Sequence, residues 1–145
     1  MTVAEITLHV GYGTFEPVRV ADLSEHRVLP ERCEISEENA QTLNAARFEN
    51  RRIIAVGTTT TRALESSIDA NGKIITGNRF ADLTITPDYQ FKVISGLLTN
   101  FHLPQSSLLV LVSTFAGHEL IMKAYRHAVA SRYRFYSYGD CMLIL

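Results

Sequence analysis

Leu98-Thr-Asn-Phe-His-Leu-Pro-Gln-Ser-Ser-Leu-Leu-Val-Leu-Val-Ser-Thr-Phe-Ala-Gly117 is the stretch whose reading decides the fold. Gly96, Leu97 and Leu98 lead in as an apolar strand, and three polar residues, Thr99, Asn100 and His102, follow at its end. Pro104 closes the extended part, because the residue before a proline is pushed out of the helical region. Gln105, Ser106 and Ser107 then supply a polar helix start, Leu108 to Phe115 an apolar body, and Gly117 a left-handed stop. A buried strand that hands polar side chains to the N-terminus of a buried helix is a common way for α/β proteins to build a site. The same residues serve equally well as caps and hydrogen-bond partners inside a core.

One step outward, Ile53-Ile-Ala-Val56 is an apolar, β-branched run, the pattern of a central parallel strand covered on both faces. It leads into Gly57-Thr-Thr-Thr-Thr-Arg-Ala-Leu-Glu-Ser66, a glycine and a threonine cluster opening a helix. Such a junction presents backbone N–H groups and hydroxyls to whatever lies above the sheet. The second glycine and the lysine of a phosphate-binding loop are missing, as are the three glycines of the dinucleotide fingerprint. Between these segments, Asn71-Gly72 signals a turn with a short strand expected at Lys73 to Thr76, a further strand at Phe80 to Thr86, and extended or strand-like chain from Tyr89 to Ile94.

Toward the N-terminus, Ile6 to Val10 reads as a strand ending at His9, with Gly11-Tyr-Gly13 allowing a tight turn or close approach to a ligand. His9 there is either a core histidine or a site residue. Thr14 to Val20 continues extended, with Pro17 favouring an edge or loop. Cys33 to Ile35 is a short strand, and Ser36 caps a helix that runs to about Asn50 with Glu37 and Glu38 in its first turn. Toward the C-terminus, His118 to Arg132 is helical, with Leu120, Ile121, Ala124, Tyr125, Ala128 and Val129 on one face. No acidic residue lies between Leu120 and Gly139, while Lys123, Arg126, His127, Arg132 and Arg134 do. That run is a solvated face or a phosphate-backbone contact. A Gly139-Asp140 turn then enters an apolar strand.

The chain of 145 residues is the size of one domain, residues 1–145, and its 46% hydrophobic and 20% charged content is that of a globular protein. A formal charge of -1 makes no general case for nucleic acid, without excluding a local basic patch. Cys33 and Cys141 have no metal-ligand spacing and suit a reducing compartment. No apolar run spans a bilayer and no secretory leader is evident, so a soluble cytoplasmic protein without membrane attachment is expected. Strands alternating with helices predict a layered α/β sandwich with a mostly parallel central sheet.

Four segments together resemble a known family: Ile6 to Val18, Ile54 to Ser66, Leu98 to Pro104 and Tyr133 to Asp140. Their order and spacing resemble the C-terminal portion of the S-adenosylmethionine:tRNA ribosyltransferase-isomerases of queuosine biosynthesis. The resemblance implies an α/β domain that lacks the family's inserted β-barrel domain, since family members are more than twice this length. It also implies transfer and isomerisation of the ribosyl moiety of S-adenosylmethionine onto a 7-aminomethyl-7-deazaguanine at the tRNA wobble position, giving epoxyqueuosine. S-adenosylmethionine is then a consumed co-substrate, with no metal and no recycled cofactor, and the partners are tRNA and a separate N-terminal half of the enzyme. Three positions depart from the family's usual pattern: Leu29, Asp88 and Ser95. That chemistry needs a base beside the sulfonium, a donor for departing adenine and a neutral incoming amine. The candidates inside the matching motifs are His9, His102, Glu65 and Asp140 for catalysis. Gly11, Gly13, Thr14, Thr58, Thr59, Arg62, Thr99 and Asn100 are the candidates for binding substrate. Lys123, Arg126, Arg132 and Arg134 are the candidates for tRNA. The alternative is a non-catalytic remnant that keeps the scaffold only.

Overall fold

Alternation along Glu31–Ile35 buries Glu31, Cys33 and Ile35 and turns Arg32 and Glu34 to solvent, the signature of a strand covered on one face. The computed structural model describes the chain except Glu16 and the side chains of Thr14 and Phe15, so the expectation placed on the Thr14 side chain lies outside the described residues. Ten elements follow in order: β1 (Thr7–His9), β2 (Glu31–Ile35), α1 (Glu37–Phe48), β3 (Ile54–Val56), α2 (Thr58–Ser66), β4 (Gly77–Ala81), β5 (Gly96–Asn100), α3 (Ser107–Ala116), α4 (His118–Ala130) and β6 (Cys141–Ile144). Short 3-10 turns occupy Tyr12–Phe15, Leu23–Glu25 and Tyr136–Tyr138.

The strands form two small sheets, ordered β1-β2-β4 and β3-β5-β6. This is an α/β fold, but the expected mostly parallel sheet is not present. Only β3 and β5 run parallel, with Ile54 opposite Gly96 and Val56 opposite Leu98; every other pairing is antiparallel. The reason lies in the connections. A single crossover helix returns a chain to the end where it started and gives a parallel strand. Between β5 and β6 there are two helices, α3 and α4, bent by 116° at Gly117, and the second sends the chain back antiparallel. After α2 the chain crosses to β2 of the other sheet, where β4 pairs from Glu31↔Ala81 to Ile35↔Gly77.

β3 also departs from expectation: it is an edge strand, with only Ala55 buried and Ile54 and Val56 open to solvent. Two expected strands do not form, because side chains take their N–H groups instead. Asp69 accepts from the backbone N–H of Asn71 and Lys73, leaving a lone Ile68↔Ile74 bridge where Lys73 to Thr76 was expected. Glu65 accepts from those of Lys92, Val93 and Ile94, so Tyr89 to Ile94 stays irregular. The expected strand at Phe80 to Thr86 sits earlier, at Gly77–Ala81.

Helix starts follow the sequence closely. Ser36 accepts from Asn39 N–H at the start of α1, and Ser106 accepts from Leu109 N–H at the start of α3. Gly117, at φ 89°, separates α3 from α4. The main core joins Leu43, Ala55, Leu64, Leu97, Leu111, Val112 and Ile121. Helix α2 packs against strands of both sheets and buries six residues, Thr58, Thr61, Arg62, Ala63, Leu64 and Glu65. No single helix among the described residues is long and apolar enough to cross a membrane.

Candidate functional site

The parallel pair β3 and β5 ends where α2 and α3 begin, and Gly57 N–H donates to Leu98 O at 2.8 Å to lock the two junctions together. Pleating along β5 sends Thr99 inward and Asn100 outward. Thr99 Oγ1 lies 2.9 Å from His102 Nε2, and the His102 backbone N–H donates to the Tyr125 hydroxyl at 2.7 Å. Phe101 anchors this turn edge-on against Tyr125, with ring centres 5.3 Å apart. Burial pulls the His102 pKa down to about 4, so its imidazole is neutral near pH 7 and a weak base. Asn100 reaches Asp140 O at 3.4 Å, and the Asp140 carboxylate accepts from Arg134 N–H, which holds it below the usual carboxylate range.

A second cluster lies on α2. Arg62 is buried and makes four hydrogen bonds: Nη1 donates to Glu31 Oε2 at 2.9 Å, Nε to Leu83 O, and Nη2 to Leu29 O and Ala81 O. The other Glu31 oxygen accepts from Gly11 N–H at 3.1 Å, so the ion pair fixes the glycine turn after β1. Gly13 is pressed against Leu29, where a Cβ would sit 2.8 Å from Leu29 Cβ. Downstream, Val18 N–H donates to Gln105 O at 2.7 Å and Pro17 bridges Ser106. Gly11, just after β1, is thus anchored to α2, and Pro17 and Val18 to the start of α3. His9 stands exposed at the end of β1, and Thr58 and Thr59 open α2, the first buried and the second half-buried.

Glu65 is committed to the fold: besides the three N–H groups of Lys92, Val93 and Ile94, it accepts from the Tyr89 hydroxyl at 2.9 Å. Burial, reinforced by the Glu65 charge, pushes the Tyr89 phenol pKa up. Tyr89 in turn forms one wall of a groove of about 650 Å³ between α3 and the segments around Val20 and Pro87. The groove's walls include Val18, Val20, Leu23 and Leu109, and Gln90, Gln105 and Ser113 stand among its polar edges. No lysine or arginine lines it among the described residues. Gln105 sits in left-handed backbone at φ 57°, a strained position at the meeting point of the groove, the Val18 segment and the α3 cap.

The expected residues therefore fall into separate groups. Thr99 and His102 form one pair, Asn100 and Asp140 another, and Gly11 joins Arg62 through Glu31. Thr58 and Thr59 start α2, and His9 is exposed on the other sheet. None of them lines the groove among the described residues. Lys123, Arg126, Arg132 and Arg134 are exposed on α4 and the turn after it, and of these only Arg134 makes an ion pair among the described residues. Sequence reasoning missed Glu31, although the alternation of β2 turns it inward toward Arg62. It also missed the His26–Ser107 contact, where Nε2 and Oγ lie 2.8 Å apart at the first turn of α3. No local signal pairs those two residues, 81 positions apart.

Comparison with known proteins gives one family model, described as queuosine biosynthesis protein, matching residues 1–144. An S-adenosylmethionine:tRNA ribosyltransferase-isomerase of Desulforamulus reducens is 51% identical over all of this chain, which covers 42% of that protein. The corresponding protein of Symbiobacterium thermophilum is 54% identical over 97% of this chain and 41% of its own length. Among solved structures, an S-adenosylmethionine tRNA ribosyltransferase from Thermotoga maritima matches 98% of this chain and 44% of its own with a TM-score of 0.75 at 42% identity. The chain spans about two fifths of the length of the curated relatives it matches.

Proposed function

This chain belongs to the queuosine biosynthesis protein family, and on that premise we propose that it is the C-terminal α/β part of an S-adenosylmethionine:tRNA ribosyltransferase-isomerase. The carrying observation is identity of 51 to 54% to named enzymes along essentially the whole chain. In this reading the ribosyl group of S-adenosylmethionine moves to the aminomethyl nitrogen of a 7-deazaguanine in tRNA, and adenine and methionine leave. S-adenosylmethionine is consumed as a substrate, and the enzyme works in the cytoplasm without a metal. The inserted barrel belongs to the share of the relatives that this chain does not match.

The groove beside α3 supports a place for the sulfonium nucleoside. Its apolar walls suit a heterocycle, and its amide and hydroxyl edges suit ring nitrogens and ribose. A lining that holds the Asp88 carboxylate and no lysine or arginine among the described residues, with His118 at one side, fits a ligand that carries positive charge and no phosphate. As the candidate base we favour His9, which stands at the end of β1 outside the groove. It is exposed, whereas His102 is buried, its pKa pulled down to about 4, below the operating pH near which an efficient base titrates. Thr99 and His102 then act as positioning residues that hold the β5-to-α3 turn. Arg62 fixes the glycine turn through Glu31, and Glu65 fixes the groove wall through Tyr89. Asn100 and Asp140 tie the end of β5 to the turn before β6, Thr58 and Thr59 form the start of α2, and Gly13 and Thr14 belong to the turn after β1. Lys123, Arg126, Arg132 and Arg134 are the proposed tRNA contact.

The test is adenine release from labelled S-adenosylmethionine with tRNA bearing the deazaguanine precursor, using this chain co-expressed with the N-terminal part of a relative. Turnover is expected, with His9→Gln lowering it by about a hundredfold or more while leaving S-adenosylmethionine binding intact. A folded complex that binds S-adenosylmethionine and releases no adenine would establish the non-catalytic remnant instead.

A further inference from the structure

A parallel strand pair is ordinarily covered on both faces. In the β3-β5-β6 sheet only one face is. Ala55, Leu97, Thr99, Met142 and Ile144 point to the helices and the core. The register puts Ile54, Gly96, Val56, Leu98, Cys141 and Leu143 on the other side. Apart from Asn100, which the register sets opposite Cys141 at its end, that side is apolar and open: Ile54 is 38% exposed, Val56 66%, Leu143 56% and Leu145 70%. Gly96 flattens it, since a Cβ there would collide with Ile54 Cδ1 and crowd Leu145. The outer edge of β3 is also unpaired among the described residues. A contiguous apolar sheet face of this kind marks a surface built to be covered.

We propose that this face, from Ile54 and Val56 across Leu98 to Leu143, is the docking surface for the N-terminal polypeptide that completes the family fold. The inference rests on reading the chain as the C-terminal part of a longer enzyme. Two observations choose that occupant. First, the chain covers only 42% of the Desulforamulus reducens relative and 44% of the Thermotoga maritima structure, so more than half of each lies outside the matched part. Second, the all-apolar run Ile53 to Val56 has the composition of a strand inside a sheet, yet it occupies an edge here. The missing layer is therefore a polypeptide with an apolar face of its own, and a strand beside β3 would satisfy its free backbone groups.

The molecule carries its own reporter. Cys141 is exposed on this face, and the other cysteine, Cys33, is fully buried in the other sheet. Co-expression of this chain with the unmatched N-terminal part of the Desulforamulus reducens relative should give a 1:1 complex by sedimentation velocity. In it, alkylation of Cys141 by N-ethylmaleimide should slow by at least about tenfold relative to the chain alone. Val56→Lys and Leu143→Lys should each weaken the complex by about tenfold or more. Their thermal midpoints as isolated chains should stay at that of the parent, and Leu120→Lys on the exposed side of α4 should leave the complex unchanged. Absence of a complex overturns the proposal, as does a complex in which Cys141 stays reactive. A concentration-dependent dimer of the chain alone that Val56→Lys dissolves overturns it in favour of a second copy. The activity reading fails separately: a face-dependent complex without adenine release refutes catalysis and leaves the docking surface standing, whereas adenine release with Cys141 unprotected does the reverse.

Discussion

At the scale of single residues, His102 and Arg62 show how polar groups that the sequence motifs single out carry the fold. Burial holds His102 near a pKa of about 4 against an ordinary 6.5. Between those values the unfolded chain takes up a proton that the folded one refuses. Stability is therefore full above the unfolded pKa and is lost as pH falls through the window, by an amount on the order of 3 kcal/mol at its lower end. His26, whose pKa is lowered by burial and then by Arg27, acts in the same direction. The urea midpoint should fall between about pH 7 and about pH 5, and His102→Gln should remove most of that slope; a wild-type midpoint flat with pH would contradict the assignment. Arg62→Met removes the guanidinium that Glu31 pairs with in a site where both side chains are almost wholly buried, and should cost about 3–5 kcal/mol in urea unfolding. Replacing both partners by apolar residues should recover part of that loss. The sequence motifs drew attention to Arg62, Glu65, Thr99 and His102 as polar residues in unusual places. What they are bonded to was not legible, because Glu31, Tyr89 and Tyr125 come from distant elements and only the folded chain brings them near.

The elements themselves were read with uneven success, and the pattern of success is physical. Helices α1, α3 and α4 announce themselves through local caps and a 3.6-residue period, so Ser36, Ser106 and Gly117 mark their ends in the sequence and in the structure alike. Strands answer to distant partners. Tyr89 to Ile94 has strand-like composition, but one carboxylate, that of Glu65, outcompetes any neighbouring strand for its N–H groups. β3 was legible as apolar but not as an edge, since an edge is a property of what lies next to it. The turn from β3 into α2 depends on Gly57, held at φ 94° and ψ 147°, a conformation that a side chain opposes. Gly57→Ala should therefore cost about 1–3 kcal/mol in thermal or urea unfolding. Gly11→Ala, with open space around its Cβ position, should stay within about 0.5 kcal/mol of the parent.

At the scale of the whole molecule, the two sheets share no strand, and what binds them is α2. The helix lies against β1 and β4 of one sheet and β3 and β5 of the other, with Arg62 tied to carbonyls on the first side and Leu64 sunk in the core of the second. Neither sheet can separate from α2 without baring an ion pair that loses its partner, or an apolar side chain that loses its cover. Two sheets without a shared strand would, on their own, come apart in two stages. This molecule is keyed together like an arch, and it should melt as one: a single calorimetric peak whose enthalpy equals the van't Hoff value. Two resolved peaks would mean that the keystone is not α2.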